Sequence, residues 1–182
     1  GYGMSVSTAD GVLCLGGNDE KTAFDAVFRL EWDQGKLTQT ELPRLPKACA
    51  GGAAALVGNM VYVAGGHGKG GLASAMKNFW RLNLADANAE WEELPGWPGP
   101  ARAYNQLAAQ HNGREVCLYL IGGRYQKEDV QGDAGIVALG DVYEFSPTRH
   151  ASGRAEGWRK RRAAPKPSMA GTAVDGGQRQ VF

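Results

Sequence analysis

The stretch VCLYLIGG (116–123) carries a run of apolar residues into a pair of glycines, and it does not stand alone. GVLCLGG (11–17) and MVYVAGG (60–66) repeat it, with pairs beginning at 16, 65 and 122, spaced by 49 and 57 residues. Each run is too short for a helix and rich in β-branched or aromatic residues, so each predicts a strand. A polar loop follows each pair. A second strand with a central aromatic comes next: AVFRL (26–30), FWRLNL (79–84) and DVYEFS (141–146). A third run follows around Trp91 in EWEELPGWP (90–98) and Trp158 in GWRKR (157–161). In the first unit KLTQTELP (36–43) puts Leu37 where a Trp is expected. A Pro-containing linker then leads into a small-residue run, GGAAALV (51–57), AYNQLAA (103–109) or MAGTAV (169–174), and the cycle restarts. YGMSVST (2–8) is the small-residue strand of the first unit.

Composition agrees with many short strands. Of 182 residues 27 are Gly, roughly twice the usual share, and they do not fall every third position as collagen requires. So much Gly is costly inside helices, which argues against a helical bundle. The net charge of +1 leaves no electrostatic footprint for nucleic acid. No run of 18 or more apolar residues is present, so no membrane contact is expected from this segment. Cys14, Cys49 and Cys117 are widely spaced and show no C-x-x-C, so neither zinc nor a disulfide framework is indicated. Cys14 and Cys117 sit in apolar runs and are expected to be buried, unreactive thiols.

A unit of about 50 residues with four strands resembles the kelch repeat, a propeller blade. The expected fold is all-β: a kelch-type β-propeller fragment of about three and a half four-stranded blades. The domain is 1–182, with blades at approximately 2–42, 50–95 and 103–162 and the start of another at 168–182. The spacing from Trp158 puts the next Gly pair beyond Phe182, so an open arc from a longer parent chain, with room there for fusion to other domains, is expected.

Two tempting motifs fail. Gly66, Gly68 and Gly71 spell G-x-G-x-x-G after a strand, and LASAMKNFWRL (72–82) can be drawn as the helix a dinucleotide fold needs. The same Gly pair recurs as GGNDE and GGRYQ without that motif, so the repeat explains it better. His67, His111 and His150 fall on three separate loops without ligand spacing and are expected to be solvated, with no metal and no other cofactor. There is no G-x-S-x-G elbow.

The informative positions are loops gathered at one end of the channel. One set follows the Gly pairs and begins at Asn18, His67 and Arg124. The other precedes the small-residue strands. It contributes Lys47, Arg102 with Tyr104, and Lys166, a cation in each blade at matching positions in LPKACAGG, GPARAYNQ and APKPSMAG. With Arg124, these cations would suit an anionic ligand such as a carboxylate. Asp19 and Glu20 are the acids closest to a Gly pair and the candidates for a general acid or base. N-D-E is also ordinary turn chemistry.

The stretch 2–30, with Tyr2-Gly3, Gly16-Gly17-Asn18-Asp19-Glu20 and Asp25-Ala26-Val27-Phe28, resembles the bacterial N-acetylneuraminate epimerase family, in its cyclically permuted sialic acid mutarotase branch. KACAGGAAALVGNMVYVAGG (47–66) and the PARAYN segment around Arg102 are similar too. The resemblance implies a six-bladed propeller that interconverts the anomers of N-acetylneuraminate by acid/base ring opening, without a cofactor. It also implies a periplasmic or extracellular setting. The family's catalytic Glu falls on Glu20, or its acidic role on Asp19. Its Arg has no counterpart in that loop, where Ala23 stands near the place, leaving Arg102 or Arg124 as substitutes. Substrate contacts would come from Asn18, Lys47, Arg102, Tyr104 and Arg124. The other reading is a non-enzymatic kelch domain that binds a partner protein.

Overall fold

The computed structural model describes residues 1–19, 21–130, 132–153 and 157–168. They form three four-stranded antiparallel sheets. The first is β1 (Met4–Thr8), β2 (Gly11–Leu15), β3 (Val27–Asp33) and β4 (Lys36–Leu42), side by side in chain order. The second is β5 (Ala53–Val57), β6 (Met60–Ala64), β7 (Phe79–Asn83) and β8 (Glu92–Glu93). The third is β9 (Gln106–His111), β10 (Val116–Ile121), β13 (Val142–Phe145) and β14 (Trp158–Arg161). Between β10 and β13 a separate ribbon pairs β11 (Arg124–Gln126) with β12 (Ile136–Ala138). One short helix, α1 (Pro147–Ala151), is capped by the Ser146 hydroxyl, which accepts from Arg149 N at 3.0 Å. These are three consecutive blades of a kelch-type β-propeller. The half blade expected at 168–182 lies outside the described residues apart from Ser168.

Burial explains why the middle Gly-pair strand, β6, is apolar throughout. Val61 and Val63 of β6 join Leu13, Leu15 and Val27 in the core between the first and second sheets. Tyr62 and Ala64 face the other way, into the core shared with Leu118, Leu120, Tyr143 and Phe145 of the third sheet. A strand covered on both faces has no polar side to alternate with. The opposite case is β4, exposed almost throughout at the outer edge. Cys14 is only half-buried, against expectation, because it lies on the face of the first sheet turned away from the second. Cys49 and Cys117 are fully buried.

The Gly pairs do more than turn the chain. The second glycine of each pair donates its N–H across to the linker entering the next blade. Gly17 reaches Cys49 O at 2.8 Å, Gly66 reaches Arg102 O at 2.8 Å, and Gly123 reaches Ser168 O at 2.7 Å. The first glycines sit at φ +59°, +68° and +59°. A Cβ on Gly16 or Gly122 would lie 2.1 Å from the Cys49 or Ser168 carbonyl oxygen. No other residue combines that backbone with that approach.

The tryptophans hold the same joints from outside. Trp91 Nε1 donates to Pro43 O and Trp158 Nε1 to Pro95 O, both at 2.8 Å, each on the linker before its own blade. Trp158 pairs with Phe145 in the ladder, and the matching partner of Leu30 in the first blade is Gln39, not Leu37. Leu37 instead sits opposite Trp32 near the tip of the β3–β4 hairpin, where both are exposed.

Candidate functional site

The three inner strands, β1, β5 and β9, begin at one end of the blades, and the backbone there repeats in detail. Asn18, His67 and Arg124, each following a Gly pair, exchange reciprocal hydrogen bonds with Gly1, Ala50 and Ala103. The next residues, Tyr2, Gly51 and Tyr104, all adopt the left-handed conformation, at φ +56°, +61° and +56°. They are linked into a chain: Gly51 N donates to Tyr2 O at 2.9 Å, and Tyr104 N to Gly51 O at 2.6 Å. For a non-glycine residue this conformation costs about 1–2 kcal/mol.

Tyr104 gathers the side chains. Its hydroxyl lies 3.1 Å from His67 Nε2, and His67 Nδ1 lies 2.8 Å from Gly68 O. A carbonyl only accepts, so Nδ1 carries the proton, and in the neutral ring Nε2 accepts from Tyr104 O–H. The Arg124 guanidinium carbon stands 4.5 Å from the Tyr104 ring centre. Tyr2 meets the same ring edge-on, at 5.4 Å and 80°. Arg124 makes no ion pair among the described residues, and its buried Nε has no hydrogen-bond partner. A small cleft of about 80 Å3 runs between the loops of Asn18 and His67. A larger one of about 570 Å3 lies beside the mouth, under the β11–β12 ribbon and against Leu72, Ala75 and Pro100.

Of the residues expected from the sequence, Asn18, Tyr104 and Arg124 come together here. Asp19 is exposed at the edge. Its Oδ1 accepts from Lys21 N at 2.8 Å and Thr22 N at 2.6 Å, and these two backbone bonds hold its carboxyl below the usual value. Glu20 lies outside the described residues. Lys47 is exposed on its linker.

Arg102 is placed otherwise than expected. It is fully buried, 2.6 and 2.9 Å from the two carboxylate oxygens of Asp141, and donates to Gly122 O at 2.8 Å. Trp97 and Tyr143 lie against its guanidinium at 5.3 and 5.5 Å. The matching cations therefore do not match. The Gly-pair bonds make Cys49 and Ser168 the counterparts of Arg102, while Lys47 and Lys166 stand two residues earlier. Cys49 even repeats the side-chain bond, its Sγ 3.4 Å from Gly65 O.

The expected loop histidines also divide. His67 is buried, His111 is exposed at the end of β9, and His150 lies in α1. His67 and Tyr2 are the members of the site that residue type alone did not single out. Their repeat positions, shared with Arg124 and Tyr104, carry the signal. The G-x-G-x-x-G segment leads into a short 3-10 turn, Gly71–Ser74, and then into β7, so the helix a dinucleotide needs is not there. Among the described residues no three His, Cys, Asp or Glu side chains gather as a metal site. No helix there is long and apolar enough to cross a membrane.

Comparison with known proteins adds the following. The family model described as "NANM: N-acetylneuraminate epimerase" matches residues 42–181. The N-acetylneuraminate epimerase of Pasteurella multocida (strain Pm70) is 35% identical over 142 residues, 76% of this chain and 32% of that protein. Its counterpart from Haemophilus influenzae (strain PittEE) is 36% identical over 107 residues, 58% of this chain and 24% of that protein. The chain thus spans between a quarter and a third of the relatives it matches. Among solved structures, "Structure of YjhT" superposes with a TM-score of 0.61 at 18% identity, over 80% of this chain and 41% of that one, and shows the shared fold.

Proposed function

The chain belongs to the N-acetylneuraminate epimerase family, and from that premise we propose that the mouth of these blades binds the anionic sugar N-acetylneuraminate and interconverts its anomers. The observation that carries this reading is Arg124. It is a half-buried cation without an ion pair among the described residues, its Nε unpartnered, laid on Tyr104 where the inner strands converge. A carboxylate fits that fork.

Ring opening needs one group to take the proton of the anomeric hydroxyl and another to protonate the ring oxygen. Glu20 takes the first role. Asp19 has its Oδ1 engaged by the backbone N–H groups of Lys21 and Thr22 and is left out of the proton transfer. The Tyr104 hydroxyl supplies the second proton by turning its O–H from His67 Nε2 to the ring oxygen. Reclosure on the other face returns both protons, so nothing is consumed. Asn18 shares the small cleft with His67, Lys47 would add a cation from its linker, and Arg102 acts by holding the joint between blades. The test is exchange NMR of the α and β anomers with the parent protein. A rate no faster than the uncatalysed one rejects the proposal.

The exposed pair Trp32 and Leu37 favours a second reading, a surface that binds a partner protein. A partner retained by Glu20→Gln, in a protein that never accelerates exchange, would select that reading.

A further inference from the structure

Three non-glycine residues among those described adopt a left-handed backbone: Tyr2, Gln34 and Tyr104. Gln34 is explained by the tight hairpin turn it makes with Gly35, at φ +47° and +83°. The other two occupy one repeat position at the mouth. The second blade is an internal control, because Gly51 fills that position with the same φ and the same inter-blade bonds. The backbone therefore asks for glycine, and two blades of three carry tyrosine against it. Strain of this kind persists where the side chain has a use. Packing among the described residues does not supply that use for Tyr2, which keeps 63% of its surface exposed there. Gly51 between them clears the space: a Cβ there would stand 3.1 Å from the Tyr104 ring.

We infer that Tyr2 and Tyr104 form an aromatic corner that receives the C–H face of a pyranose ring whose carboxylate sits on Arg124. The inference rests on the sialic acid reading above and extends it, making the cyclic form of a sugar acid the ligand held at the start of the reaction. Aromatic faces at pocket rims give oriented, apolar contact of this sort. The Tyr2 ring meets Tyr104 at 80°, so the two present a wall and a floor rather than one plane.

The experiment is an NMR titration of the full chain with N-acetylneuraminate, and separately with N-acetylglucosamine, which offers a ring without the acid. Tyr2→Gly should weaken N-acetylneuraminate binding by about threefold to tenfold, with a thermal midpoint unchanged or raised because the strain is relieved. Tyr2→Ala should weaken binding equally without that gain. Tyr2→Gly binding N-acetylneuraminate as tightly as the parent overturns the aromatic corner and leaves the sialic acid reading standing. Binding of N-acetylglucosamine alone, lost in Tyr2→Gly, overturns that reading and supports the corner. A parent that binds neither sugar overturns both.

Discussion

Arg102 and Asp141 close a two-pronged ion pair inside the joint between the second and third blades, at 2.6 and 2.9 Å. The backbone of Arg102 is tied to the second blade, receiving Gly66 N and donating to Met76 O, while its side chain is tied to Gly122 and Asp141 of the third. It thus sets the spacing between the two Gly pairs that carry His67 and Arg124. Removing one partner of a buried pair typically costs about 3–5 kcal/mol. Arg102→Ala is expected to lose that much in urea unfolding, and Asp141→Asn a similar amount. An Arg102→Ala protein as stable as the parent yet unable to bind the sugar would put Arg102 on the ligand instead.

Acid should weaken the fold through the third blade. Burial pulls Asp141 upward, but the hydrogen bonds and charge of Arg102 outweigh it and leave the carboxyl below its usual value. Glu144 behaves alike: burial raises it, while Arg161, Tyr119 and Arg149 hold it lower overall. A folded pKa below the unfolded one stabilises above the unfolded value, about 4, and that stability is lost as pH falls through the folded value. Unfolding free energy should therefore be insensitive to these groups from pH 7 to about 5 and fall below about 4. Glu144→Gln should flatten the fall.

The blade order was legible because an apolar strand ending in two glycines leaves a clear mark, three times over. The loops at the mouth were legible for the same reason. The role of Arg102 was not. An arginine in a Gly-Pro-Ala-Arg linker looks solvated, and what buries it is Asp141, 39 residues on, with Trp97 and Tyr143. A cation soon after a Pro in each linker, Pro46-Lys47 and Pro100-Ala101-Arg102, made the two look aligned although they are not. His67 looked like a loop histidine because the hydroxyl that holds it belongs to the next blade.

Gly51 should tolerate no side chain. Its left-handed φ alone costs about 1–2 kcal/mol on gaining a Cβ. That Cβ would also press on the Tyr104 ring at 3.1 and 3.2 Å and on His67 Cδ2 at 3.3 Å. Gly51→Ala is expected to lose at least this much stability in urea unfolding. It should also shift the Tyr104 and His67 resonances, while Gly35→Ala in the open hairpin turn leaves them in place.

The three thiols should separate by burial. Burial pushes Cys49 and Cys117 up to about 12, so neither presents a thiolate near neutral pH. Cys14 is half-exposed. Iodoacetamide at pH 8 is expected to label Cys14 in the folded chain, and the other two only after denaturant is added. Labelling of Cys49 in native conditions would mean that the joint at Gly65 and Gly66 opens.

The proton chemistry separates the two acids of the first mouth loop. Asp19 is solvent-exposed and already accepts two backbone N–H groups, and an Asn side-chain oxygen accepts in the same way. Asp19→Asn should therefore keep the loop and change anomer exchange by about twofold at most. Glu20→Gln removes the proposed base and should slow exchange by about a hundredfold or more, the usual share of a general acid or base. Arg124→Ala should weaken binding of the sugar acid and leave the rate at saturation less affected, since its proposed role is to hold the carboxylate and not the reacting oxygens. Exchange NMR across a substrate series reads all three. If Asp19→Asn proved the crippling change and Glu20→Gln the silent one, the base would be Asp19, and the loop would have to release its two backbone bonds to use it.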